Sequence, residues 1–569
     1  MIWNPLPAVI AALSYLSYGG WQSLSPQASA NGDRWNCRPF LPNLFVETPP
    51  SPGLPVIRGA TKALNDYFTS KFAQGGIDSL SVAVVTSNTV LYEKNFGVLR
   101  ANETNSPPTT SHASYRIASI SKLFTVLEGF ILEQRGIISW DDPVDKYLED
   151  FRYRLDGLDP HGPQPTPEEA PITLLQLATH MSGLGRDWPP GSAANWPYEV
   201  SGGGPPPDNG RPFPTYEALF DDLPKHHLVS YPWTYPSYSN TGVGILGLAL
   251  AAASSAADGN YSRISHADLL QRDIFGPLGL NGSHFLATDQ NKDSIVISSV
   301  MPEVVDDDFL NPMNPSGGQF SSLSDFIMLA QTLLNPRHPK SPLTQYSLNR
   351  WFKPVHAFEE DDWTEMGFLW EVIKARDSSG RLRRIYWKLG NLPGFNTVIA
   401  VHPGSSYSVI VLMAGSYPDA AELAYDAFEI MQPGIDRALS DLVKELYSGQ
   451  WVVVQPGQNT TEGSSATITV HKGTLYIDEF ILLGVDALEK MDAKGRVALR
   501  PTRRDEFRLD IGLPLYNGKR HTACFPYWVG QDSWGLRDNA PINAIYFTSS
   551  GEGRRLHIPS LSMVMERMR

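Results

Sequence analysis

The sequence predicts an α/β region built on an antiparallel sheet, followed by a small all-β domain. Three observations predict it. A β-rich pair of runs around the turn Ser87-Asn88, SLSVAVVTSNTVLYEKNFG at 79–97, has a counterpart in TVIAVHPGSSYSVIVLMAG at 397–415. Mostly helical and irregular sequence lies between them, so one sheet is expected to form from distant segments, with a helical subdomain inserted. After Gly449 the pattern shifts to short β-rich runs such as ATITVHKGTLYID, RVALRPT, EFRLDIG and AIYFTSS, separated by Gly or Pro.

The chain is long enough for both. It has 569 residues, of which 42% are hydrophobic and 19% charged, so two domains are expected and global disorder is not. A formal net charge of -14, with no long Lys/Arg run, argues against nucleic acid or an anionic membrane as partner.

A short apolar stretch at 5–18 is followed by small and polar residues ending in Ala28-Ser29-Ala30. Residues 1–30 are therefore expected to be a signal peptide, although MIWN brings no Lys or Arg, and 31–58 a Pro-rich linker. The apolar stretch is too short to span a bilayer, so no stable membrane span is expected in the mature chain. Sequons at Asn102, Asn260, Asn281 and Asn459 agree with a secretory route as candidate glycosylation sites. The two cysteines, Cys37 and Cys524, fit one disulfide in an oxidising compartment; two buried thiols are the other reading. No Cys or His pair has metal-ligand spacing, and the adjacent His226-His227 are read as loop residues.

The chemistry concentrates at SYRIASISKLFTVLEGFILEQRG. Leu123, Val126, Leu127, Phe130 and Ile131 repeat at helical spacing and Gly136 supplies a stop. Ser119 and Lys122 then lie one turn apart at the start of that helix. A serine hydroxyl needs a neighbouring base or cation to become a nucleophile, and a lysine one turn later is one. Taken alone, S-x-x-K is common. Here it is followed by Tyr238-Ser239-Asn240 and then by Lys388-Leu389-Gly390.

In that order these motifs resemble the penicillin-binding-protein and serine β-lactamase superfamily, most narrowly its class C-like branch of β-lactamases, esterases, D-peptidases and acyltransferases. LLQLATHMSGL, NPSGGQFSSLSDF and LPGFN agree with it in order, and the resemblance covers residues 59–446. It implies a β-lactamase-like antiparallel sheet flanked by helices, and a catalytic set of Ser119, Lys122 and Tyr238. Asn240, Lys388, Leu389 and Gly390 would bind substrate, and the backbone N–H groups of Ser119 and Asn391 would form the oxyanion hole. No metal or organic cofactor is implied, and the partner is a small acyl substrate. Residues 450–569 resemble the lipocalin-like appendages of some relatives.

The departure is Leu389, where penicillin-hydrolysing relatives have Thr or Ser. Leucine donates no hydrogen bond, which puts β-lactam hydrolysis in doubt. The expected activity is a serine hydrolase or acyltransferase acting on an ester, thioester or amide; a non-catalytic scaffold or binding protein of the same fold is the alternative. The sequence does not specify an oligomeric state. GVGILG at 242–247 follows no strand and is read as close helix packing rather than a dinucleotide loop. Trp188, Trp196 and Trp233 are candidates to line a ligand site, or simply packed aromatics. The Pro/Gly-rich stretch 156–214 is either a substrate rim or a disordered loop.

Overall fold

A computed structural model of the chain describes residues 37–259, 264–453, 463–493, 495–512, 524–551 and 553–568. The expected signal segment and the sequons at Asn260 and Asn459 lie outside them. The chain divides into two units. One comprises Ser51–Arg376 and Leu382–Met431; the other comprises Asp377–Arg381 and the described parts of Met1–Pro50 and Gln432–Arg569.

The larger unit holds an eight-stranded antiparallel sheet. Its strands are β1 (Ile77–Thr86), β2 (Val90–Gly97), β5 (His356–Ala357), β6 (Glu365–Met366), β7 (Glu371–Arg376), β8 (Leu382–Leu392), β9 (Phe395–His402) and β10 (Tyr407–Gly415). They run in the order β2-β1-β10-β9-β8-β7-β6-β5, with β1 beside β10 as the two distant hairpins predict. A separate small pair, β3 (Ser114–Arg116) with β4 (Phe320–Ser322), lies outside that sheet.

Strand residues alternate between faces, and here both faces are buried. Ala83, Val85, Ile399, Val401, Ile410 and Leu412 join the core formed with Phe124, Phe130 and Trp140 of the helical region. Their neighbours Val82, Val84, Val398, Val409 and Val411 are also fully buried, on the opposite face. On that second face Phe68 of the helix Pro55–Ala73 stacks on Tyr92, and Phe428 packs on Tyr407. Burial of each such side chain is worth about 1.5–3 kcal/mol, which makes the sheet a rigid support for whatever its edges carry.

The helix Asn240–Ala257 is long and apolar enough to cross a membrane, yet it is a core helix of this unit, buried from Asn240 to Ser255. Its glycines explain GVGILG. A Cβ on Gly244 would come within 2.1 Å of the Pro312 carbonyl, and one on Gly247 within 2.3 Å of the Pro315 ring. These positions admit a neighbouring helix at close range, as the packing reading expects.

The smaller unit contains an eight-stranded antiparallel barrel. Its strands are Gly449–Val452, Ser465–His471, Thr474–Leu482, Val497–Arg503, Glu506–Asp510, Ala544–Ser550, Gly553–Ile558 and Met563–Arg567. Each pairs with the next, and the first pairs with the last, so the eight strands close on themselves. The interior is filled: Tyr447, Trp451, Phe507 and Phe547 meet at ring distances of 4.9–5.8 Å and all are buried. Cys37 and Cys524 form a disulfide within this unit, as the even count suggests.

Candidate active site

The site begins with a strained turn. Ile117 donates its N–H to the Gln319 carbonyl at 3.0 Å, which fixes the exit from β3. The chain then enters a 3₁₀ turn, Ala118–Ile120, in which Ala118 has φ 49°. An L-residue in that left-handed region costs roughly 1–2 kcal/mol and persists only where neighbours hold it. Ser121 does so: its hydroxyl donates to the Ala118 carbonyl at 2.6 Å and accepts from Gln319 N–H at 3.2 Å. Ser119 sits at the centre of this turn, and the helix Ser121–Gln134 follows. The apolar periodicity understates how that helix is used. Every residue from Ser121 to Leu132 is buried, so the helix runs through the core instead of lying on it.

Lys122 is completely buried, an expensive place for a cation. Its ammonium is nevertheless fully satisfied. The three N–H bonds go to Ser119 Oγ at 3.0 Å, Asn240 Oδ1 at 2.7 Å and the Ser316 carbonyl at 2.5 Å. Burial, reinforced by the Lys388 charge, pulls its pKa down to about 8, against the opposing influence of Tyr238.

Tyr238 reaches the same oxygen from the other side, its phenol 2.8 Å from Ser119 Oγ. Local structure fixes the triplet. Ser239 caps the helix Asn240–Ala257 by accepting Gly242 N–H at 2.8 Å, which leaves Tyr238 just before the helix and Asn240 at its first position. The Asn240 amide faces two ways, its oxygen to Lys122 and its Nδ2–H to buried Asp187 at 2.7 Å. Three cations surround the Tyr238 ring, with Lys122 Nζ 5.1 Å, Lys388 Nζ 5.2 Å and the Arg186 guanidinium 4.8 Å from its centroid. Burial alone would raise the phenol, but Lys122 and Lys388 more than offset it and hold its pKa at about 8.

Lys388, Leu389 and Gly390 lie on β8. Gly390 is required by a close approach, since a Cβ there would stand 2.1 Å from the Ile117 carbonyl, beside the Ser119 turn. Lys388 donates to Glu371 of β7 at 2.6 Å, and the Leu389 N–H points to the other oxygen of that carboxylate at 3.3 Å. Asn391 is exposed near the end of β8, its side chain hydrogen-bonded to Asn396.

Ser119, Lys122, Tyr238, Asn240 and Lys388, separated by up to 269 positions, thus meet around one hydroxyl and one phenol. Sequence reasoning missed Asp187, Arg186, Glu371 and Ser316. The first two lie inside the stretch 156–214, part of which therefore borders the site. Glu371 is a single carboxylate in FLWEVIK, and Ser316 acts through its carbonyl, so neither leaves a pattern. Of the tryptophans, Trp188 is buried against His226, whereas Trp196 and Trp233 are exposed. His226 bonds Asp222 and His227 bonds the Asp156 carbonyl. Among the described residues no group of three or more His, Cys, Asp or Glu is placed to hold a metal ion.

Residues 64–432 match the family model described as Beta-lactamase. The chain is 41% identical over 309 residues to Beta-lactamase-like protein str6 of Strobilurus tenacellus, covering 53% of this chain and 97% of that protein. It is 24% identical over 408 residues to the D-alanyl-D-alanine-carboxypeptidase/endopeptidase AmpH of Escherichia coli, covering 69% of this chain and 91% of the relative. Among solved structures it is similar to the octameric penicillin-binding protein homologue from Pyrococcus abyssi, with a TM-score of 0.51, 18% identity, and coverage of 89% of this chain and 99% of that one. The chain belongs to the β-lactamase family, within the superfamily of serine β-lactamases and penicillin-binding proteins. Serine hydrolase activity is the general activity that goes with this membership.

Proposed function

We propose that the chain forms an acyl-enzyme on Ser119 and passes the acyl group to water or to a small alcohol or amine. The observation that carries this is the placement of Ser119 Oγ within hydrogen-bond distance of both Lys122 Nζ and Tyr238 OH. At pH 7 a phenol with pKa about 8 is roughly one-tenth ionised, enough to serve as a base. Tyr238 phenolate takes the Ser119 proton as Oγ attacks the acyl carbonyl. Lys122 ammonium holds the phenolate and Oγ in place. The backbone N–H groups of Ser119 and Asn391 are the proposed donors to the oxyanion, each typically worth about 3 kcal/mol of barrier. The proton on Tyr238 then goes to the leaving group, and the acceptor repeats the sequence in reverse.

The substrate we favour lacks a carboxylate beside the scissile bond. Leu389 offers no hydroxyl to such a group, and Glu371 already occupies the Lys388 ammonium at 2.6 Å. A hydrogen bond to a charged group is worth about 1.5–3 kcal/mol, so its loss costs roughly one to two orders of magnitude in kcat/KM. A short-chain p-nitrophenyl ester is therefore expected to be turned over much faster than nitrocefin, and Leu389→Thr to raise nitrocefin turnover about tenfold. Equal turnover of both by the wild type, unchanged in Leu389→Thr, would refute the substrate reading. Absence of any turnover would instead favour the non-catalytic alternative.

A secreted protein is the location that fits the disulfide, which belongs to oxidising compartments. The sequons at Asn102 and Asn281 are exposed. Protein from its native host is expected to lose mass on peptide-N-glycosidase treatment, which hydrolyses the glycosyl-amide bond and converts Asn102 or Asn281 to Asp; unmodified asparagines at both would count against secretion.

A further inference from the structure

We infer that His180 is the positioning residue for Tyr238, holding the backbone on both sides of it and packing against its ring. The inference rests on the reading of Tyr238 as the base. His180 lies just beyond the short helix Leu174–Ala178, within LLQLATHMSGL. Its carbonyl accepts the Ser237 N–H at 2.8 Å, and its Nδ1 accepts the Ser239 N–H at 3.1 Å. The residue between these two is Tyr238, and the imidazole lies 4.6 Å from the Tyr238 ring, tilted by 34°. One side chain and one carbonyl thus anchor the amide N–H groups of the residues before and after Tyr238, while the ring limits its swing.

Three further features suit this role. His180 is 3% exposed, so water does not compete for the Nδ1 contact. Burial, then the charges of Lys122, Lys388 and Arg186, hold its pKa well below the ordinary value. The ring therefore stays neutral, with Nδ1 as acceptor and the proton on Nε2. Its backbone has φ 56°, a conformation that asparagine also tolerates. Asparagine at 180 would offer Oδ1 to the Ser239 N–H from that same backbone.

The groups facing Tyr238 are Lys122, Lys388, Arg186, Glu371 and the Ser119 hydroxyl. None of them is removed by substituting His180. Relief of burial on removing the imidazole would lower the Tyr238 pKa, so an upward change reports movement of the phenol relative to those charges. Withdrawn from Lys122 and Lys388, its pKa returns upward toward the ordinary value near 10. A displacement of about 1 Å is itself enough to cost roughly 10²-fold in rate.

The experiment measures the rate of fluorophosphonate labelling of Ser119 between about pH 6 and 10, with thermal melts, in wild type, His180→Ala and His180→Asn. His180→Ala is expected to label roughly 10- to 100-fold more slowly, with the acidic limb displaced upward. His180→Asn is expected to recover most of the rate and the wild-type limb. The inference is overturned if folded His180→Ala keeps the wild-type rate and limb. It is equally overturned if both variants lose rate in step with their melting temperatures while the limb stays in place. Failure of the base assignment is a separate result: wild-type labelling would then be matched by Tyr238→Phe.

Discussion

Ser119→Ala is expected to abolish both ester turnover and fluorophosphonate labelling while leaving the fold intact. Ser119 Oγ lies within hydrogen-bond distance of both Lys122 Nζ and Tyr238 OH, which makes it the candidate nucleophile that the two share. Its removal leaves Lys122 two acceptors, Asn240 and the Ser316 carbonyl. The stability change should therefore be small, about 1 kcal/mol. Loss of a serine nucleophile from a concerted set costs roughly 10⁴-fold or more in kcat. The check is intact-mass spectrometry after labelling, alongside a thermal melt. A covalent adduct on folded Ser119→Ala protein would remove the residue from its role.

Tyr238→Phe should keep the ring between His180 and the three cations but delete the base, with an expected fall of roughly 10²–10⁴-fold in kcat. The wild-type pH profile gives a second, independent sign. The productive state has Tyr238 ionised and Lys122 charged, and both groups titrate at about 8. As pH falls through that value the phenolate is protonated and the base is lost. As pH rises through it the lysine loses its charge. The rate is therefore expected to form a bell centred near pH 8, whose limbs belong to the coupled pair rather than to either residue alone. Tyr238→Phe should remove the acidic limb. Near-normal turnover with an unchanged limb would mean that another group takes the proton.

The sheet was legible because β1 and β10 carry strong β-rich runs around turns, even though their pairing spans more than 300 residues. The three motifs were legible because each holds side-chain chemistry at fixed local spacing. Glu371 was not, since its meaning comes from β7 lying next to β8, a register that no local pattern encodes. His180 escaped for a related reason: its contacts are to backbone groups 57 and 59 positions away. The unbroken burial of the Ser121–Gln134 helix from Ser121 to Leu132 was also hidden. Lys122 and Glu128 carry charged side chains, which argue for exposure, yet both are buried. In the barrel, the strand Met563–Arg567 was not distinguished in the sequence because MVMER contains a single β-branched residue, Val564, and no aromatic one.

The acyl-Ser119 intermediate is tested most directly by trapping it. A slowly turned-over ester is mixed with the wild-type protein, the reaction is stopped in acid during steady state, and the peptides are mapped. The acyl mass is expected on the peptide carrying Ser119, at Ser119 itself, and absent after turnover is complete. An acyl group on another residue, or substrate consumption with no acyl-protein at any time, would contradict the mechanism.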